Sequence, residues 1–146
     1  REILHAGQEI LAHPVTPMPG VAETLAALKG AFRLMIVTKG DLFDQERKVA
    51  ASGLGDYFDA VEIVSEKDAA AYRRLFARHG TGAECAMMVG NSLKSDIIPA
   101  LEAGAWGVHI PSAHQWVLDH AEPPVGAARF HVIEAMPELH DVLKVI

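Results

Sequence analysis

Cysteine is almost missing from this 146-residue chain. Cys85 stands alone, so no intrachain disulfide can form and a reducing compartment is expected. No apolar run reaches the roughly 18 residues that a membrane-crossing helix needs, and no secretory signal pattern is visible, so a cytoplasmic protein without a membrane partner is expected. Lys and Arg do not cluster, and the formal net charge is −6, which removes the basic footprint of non-specific nucleic-acid binding. Low-complexity tracts and solenoid repeats are missing too. Eight histidines are scattered through the chain, and none pairs with another at H-x₃-H or HExxH spacing. An initiating Met is also lacking: the sequence starts at Arg1, in what reads as mid-helix, and further residues are expected before it.

What is present is ordinary globular material, 50% hydrophobic and 22% charged, enough for one domain with a real core. Ile3, Leu4, Ile10 and Leu11 fall at roughly helical spacing, which predicts a helix over 2–12 stopped by His13-Pro14. A Pro-rich connector over 15–20 leads to a second helix, with Val21, Leu25 and Leu28 on one face and Gly30 beyond its end. The short apolar run Phe32–Val37 then reads as a buried parallel strand. The pattern repeats: helix 42–52, strand 59–64, helix 68–79, strand 85–89, helix 96–103, strand 106–110, an irregular stretch over 111–127, strand 129–133 and a helix from 137. Strands alternating with helices at this spacing imply an α/β domain with a parallel sheet.

Ligands of such sheets bind beyond the carboxyl ends of the strands, and the polar chemistry is concentrated there. Thr38-Lys39-Gly40-Asp41 follows the first strand and can offer a hydroxyl and free N–H groups to an anion, although a plain helix cap would use the same residues. Lys67 follows a strand that should be buried, where an ammonium is costly unless it is paired or faces a ligand; the alternative is a solvated lysine beside Glu66 and Asp68. Gly90-Asn91-Ser92-Leu93-Lys94-Ser95-Asp96 is the richest loop. Ser95 could cap the next helix with Asp96 in its first turn. Asp96 with the Asn91 oxygen would equally suit Mg²⁺, which takes one or two carboxylates, waters and a substrate phosphate.

Three such elements in this order resemble the haloacid dehalogenase (HAD) superfamily of hydrolases. LMIVTKG (34–40) resembles its second motif, Lys67 its third, and MVGNSLKSDIIPALEAG (88–104) its fourth. HPVTPMPGVAETLAALK (13–29) resembles the return from a helical cap to the core. The resemblance implies a Rossmann-like three-layer α/β/α core with a mostly parallel sheet. It also implies residues 1–13 as the last cap helix and 14–146 as a core lacking its first strand. That strand would carry Asp-x-Asp-x-Thr, with the nucleophile and the acid/base, yet no Asp-x-Asp occurs anywhere in the sequence. The resemblance therefore implies an intact protein that is a Mg²⁺-dependent hydrolase, working through an aspartyl-phosphate on a small phosphorylated metabolite. This chain would then be an inactive fragment of it.

In that scheme Thr38 and Lys67 are catalytic. Thr38, Lys39, Gly40 and Lys67 bind phosphate, and Asp96 with Asn91 holds the metal, Asn91 standing where many family members carry Asp. The missing strand, expected between those ending at Thr38 and Val89, would come from a segment outside these residues or from another chain, unless the sheet rearranges. Two rivals remain: a truncated, non-catalytic module that binds phosphate ligands or a partner, and a dehalogenase of the same superfamily, against which the Asp96 loop argues.

Overall fold

The computed structural model describes residues 3–7, 20–39, 41–80, 82–111, 124 and 126–145. Six strands form one parallel sheet: β1 (Ile3–Gly7), β2 (Arg33–Thr38), β3 (Ala60–Ile63), β4 (Ala86–Gly90), β5 (Trp106–His109) and β6 (Phe130–Val132). Their order across the sheet is β3-β2-β1-β4-β5-β6. The helices are α1 (Val21–Leu28), α2 (Leu42–Ser52), α3 (Ala69–His79), α4 (Ile98–Glu102) and α5 (Leu139–Val145).

The sheet is covered on both faces, and the strand pleat sorts the residues. Along β2 and β4, Leu34, Ile36, Met87 and Val89 face a core shared with Val21 and Leu25 of α1 and Leu139 and Val142 of α5. The alternate residues Met35, Val37, Ala86 and Met88 face Tyr72, Leu75 and Phe76 of α3 and Ala100 of α4. Both sides of each strand are therefore apolar, which is why these segments read as continuous hydrophobic runs. The result is the expected three-layer α/β/α arrangement. None of the helices described is long and apolar enough to cross a membrane.

Local chemistry sets the helix starts after β2 and β3. The Asp41 carboxylate accepts from the Phe43 N–H at 2.9 Å, and that of Asp68 from the Ala71 N–H at 2.9 Å. These side chains satisfy donors that a helix cannot pair internally. Gly53 ends α2 at φ 77°, a left-handed turn that suits glycine.

The N-terminal expectation needs correcting. Ile3–Gly7 is a strand and not part of a helix over 2–12. It is the central strand, with Ala6 beside Ile36 of β2 and Val89 of β4. The rest of the proposed 1–13 cap helix lies outside the described residues. Five residues, Ile-Leu-His-Ala-Gly, carry no period of their own strong enough to choose between helix and strand. The slot between β2 and β4 chooses, because it presents two rows of backbone donors and acceptors that only a strand can pair. In this structure the sheet is thus completed by residues 3–7 of the chain itself.

Candidate functional site

Parallel pairing brings the carboxyl ends of all six strands to one edge, and the residues singled out from the sequence gather there. Thr38 closes β2, with Ile63 of β3 paired beside it, and its side chain is buried. Its hydroxyl donates to the Lys39 carbonyl at 3.2 Å. Lys39 itself is exposed, and its Nζ lies 3.4 Å from the Glu66 carboxylate across the tips of two neighbouring loops. Gly40 lies outside the described residues.

Lys67 does not behave as a solvated loop lysine. Its Nζ donates to Asp96 Oδ1 at 2.9 Å, with side-chain exposures of 5% and 0%. Two opposite charges so thoroughly removed from water hold each other in place, since either alone would carry a large desolvation cost.

Asp96 is aimed by an unusual turn. Leu93–Ile97 forms a single π-helical turn that runs straight into α4. Such wide turns recur at functional sites. The cap is Ser92 rather than the expected Ser95: Ser92 Oγ accepts from the Ser95 N–H at 3.0 Å. The second Asp96 oxygen, Oδ2, accepts from the Ser92 N–H at 3.3 Å. It also lies against Gly90, where a Cβ would sit 2.3 Å from it, so the strand must end in glycine for the carboxylate to fit. Asp96 is thus a buried anion held in the turn that opens α4.

Asn91 follows Gly90 and is 6% exposed. Its backbone carbonyl accepts from His109 Nε2, at the end of β5, at 3.1 Å. Its side-chain Oδ1 is buried and has no hydrogen-bond partner. Leaving such an acceptor unmatched costs on the order of 1–3 kcal/mol. A hard cation would answer that need, because Mg²⁺ takes oxygen donors from a carboxylate and an amide carbonyl together with water and phosphate oxygens. The donor set of Asp96 and Asn91 therefore fits Mg²⁺. Among the described residues no group of three His, Cys, Asp or Glu side chains comes together as a ready metal cage.

Sequence reasoning singled out Thr38, Lys67, Asn91 and Asp96 but not the contacts that hold them. Ser92 as cap and His109 as the brace of Asn91 emerge only in three dimensions. The signal for His109 was its place at a strand end on the active edge.

The carboxyl edge of this α/β/α sheet thus gathers a hydroxyl, an ammonium and a carboxylate. A family model for haloacid dehalogenase-like hydrolases matches residues 3–104, and the chain belongs to that family. It is 30% identical over 139 residues to the Escherichia coli pyrimidine 5′-nucleotidase YjjG, covering 91% of this chain and 59% of that protein. It is 28% identical over 134 residues to a glyceraldehyde 3-phosphate phosphatase of Methanothermobacter thermautotrophicus, covering 87% and 58%. A solved haloacid dehalogenase-like hydrolase from Xanthomonas campestris superposes with a TM-score of 0.79 at 36% identity, over 94% of this chain and 58% of that one. The chain thus spans somewhat under three-fifths of the length of each.

Proposed function

We propose that this chain carries the phosphate and Mg²⁺ half of a phosphatase-type active site that acts on a small phosphorylated metabolite. The observation that carries the reading is the buried Lys67–Asp96 pair, set at the same sheet edge as Thr38 and the unmatched Asn91 oxygen. Two relatives whose names are those of a nucleotidase and a sugar-phosphate phosphatase support the phosphoester class over carbon–halogen chemistry.

Each group has a task that follows from its chemistry. The Thr38 hydroxyl, with the N–H groups that follow it, holds non-bridging oxygens of the phosphoryl group. Lys67 offsets charge that develops on those oxygens and keeps the Asp96 carboxylate aimed. A fixed donor of this kind is worth on the order of 10²–10³ in rate. Asp96 and the Asn91 oxygen hold Mg²⁺, which when bound neutralises phosphoryl charge. The aspartyl-phosphate route also needs an attacking carboxylate, with water later cleaving the adduct. No Asp-x-Asp is present in these residues to supply it. The 146-residue chain is therefore a binder of Mg²⁺ and phosphate that does not turn over.

Two measurements test this. Titration of the chain with MgCl₂ and inorganic phosphate, followed by amide chemical shifts, should give saturable changes centred on Thr38, Lys67, Asn91 and Asp96, and Asp96→Asn should remove the Mg²⁺ response. Release of phosphate from p-nitrophenyl phosphate should stay at background. Brisk turnover by these residues alone, or shifts centred elsewhere, would overturn the assignment.

A further inference from the structure

Tyr72 lies on the apolar stripe of α3, packed against one face of the sheet, and its side chain is fully buried. Its ring stacks on Phe76 with centroids 5.8 Å apart. Phenylalanine would fill this space equally well, so the hydroxyl needs its own explanation, because a buried O–H is unfavourable without a partner. It has one: it donates to the Ser95 carbonyl at 2.8 Å.

That carbonyl is a special one. In a continuing α-helix it would accept from the N–H of the residue four positions on. That residue is Pro99, which has no N–H and whose ring crowds the carbonyl four residues back. The loss falls in the turn that carries Asp96. There the chain widens to π geometry, with the Asp96 N–H at 2.9 Å and the Ile97 N–H at 3.2 Å both directed at the Ser92 carbonyl. Tyr72 supplies the donor that Pro99 cannot. Its own helix begins at the cap Asp68, next in sequence to Lys67. One hydroxyl therefore ties the element that presents the ammonium to the turn that presents the carboxylate.

We infer that Tyr72 is a positioning residue of the active site: its hydroxyl replaces the missing Pro99 donor and fixes the π turn that aims Asp96 at Lys67. The functional weight of this inference rests on the reading of Asp96 as a Mg²⁺ ligand; the structural coupling does not.

The test uses Tyr72→Phe, Pro99→Ala and the double variant in the full 146-residue chain. In Tyr72→Phe, hydrogen exchange at the Asp96 and Ile97 amides should quicken about tenfold or more relative to the amides of Met87 and Met88 in β4. In the Pro99→Ala background the same change should have a much smaller effect, because alanine at position 99 restores the backbone N–H that an α-helical turn would offer the Ser95 carbonyl. Should Tyr72→Phe fail to fold alone, urea midpoints of Pro99→Ala and the double variant decide. A small difference between them supports the coupling, and a double variant that is equally unfolded overturns it. Uniform quickening across the sheet, or an effect identical in both backgrounds, also overturns it. MgCl₂ titration adds the functional arm: Tyr72→Phe should weaken Mg²⁺ binding about fivefold or more, in line with the loss of one outer contact to a ligand, and unchanged affinity would refute the positioning role. A wild-type chain that ignores Mg²⁺ would count against the metal reading, while the exchange data would still decide the Tyr72–Pro99 coupling.

Discussion

Replacing Lys67 by Met removes an ammonium and keeps most of an apolar stem, so it isolates one charge. In the native chain that charge sits 2.9 Å from Asp96 with 5% of the lysine side chain and none of the aspartate side chain exposed. Of the contacts described, the Asp96 carboxylate would keep the Ser92 N–H at 3.3 Å, a longer contact than the one to Lys67. Breaking one side of a buried pair costs about 3–5 kcal/mol, because the surviving charge loses its counter-charge. That is a large share of the 5–15 kcal/mol or so that holds a typical domain together. Lys67→Met should therefore lower urea-unfolding stability by about 3–5 kcal/mol. Asp96→Asn should cost a similar amount by removing the carboxylate charge that the buried ammonium faces. The double variant, with neither charge, should lose clearly less than the two single losses added, with a coupling of about 2 kcal/mol or more. The exposed pair Lys39–Glu66, at 3.4 Å and with exposures of 51% and 73%, is the internal control. Lys39→Met should change stability by less than about 1 kcal/mol. Strictly additive losses at positions 67 and 96, or a Lys67→Met loss no larger than that control, would refute the claim that these two charges are one buried unit.

Two further substitutions probe the same loop. Gly90→Ala places a Cβ 2.3 Å from Asp96 Oδ2 and 2.7 Å from its Cγ, atoms pinned by their own contacts, and should cost about 1–3 kcal/mol by crowding. Gly55→Ala, whose Cβ meets only Val49 Cγ1 at 3.7 Å, should stay within about 0.5 kcal/mol, so equal midpoints for the two variants would defeat the steric argument. Asn91→Asp puts a second carboxylate where the amide oxygen is now buried and unmatched. Stability without metal should fall, and MgCl₂ should restore more stability to this variant than to wild type, read as the shift in urea midpoint with added ion. An Asn91→Asp chain indifferent to Mg²⁺ would count against the placement of the cation.

How much of this was legible beforehand depends on whether local sequence or the assembled sheet decides a position. Strands β2 to β6 and helices α1, α2 and α3 announced themselves through apolar runs and stripes, with Asp caps and Gly stops marking the bounds of α2 and α3. Lys67 was also visible singly, as a charge placed where charge is expensive, and Asp96 as a carboxylate at a helix start or cation site. Their mutual pairing was not visible, since 29 residues separate them and nothing local to either names the other. The first strand escapes a local reading for a related reason. Ile3, Leu4, Ile10 and Leu11 mimic a helical stripe, and only the open slot between β2 and β4, built by residues far along the chain, makes Ile3–Gly7 extended. Tyr72 shows the same limit from the opposite direction. Its spacing with Leu75, Phe76 and His79 marks it correctly as a core residue, and that classification hides the hydroxyl. The hint was elsewhere, in Pro99: a proline four residues after Ser95 removes the N–H that an α-helix would offer the Ser95 carbonyl, and the Tyr72 hydroxyl donates to that carbonyl. Charges and prolines create debts in a sequence that can be counted locally, but the residue that settles each one is chosen by topology.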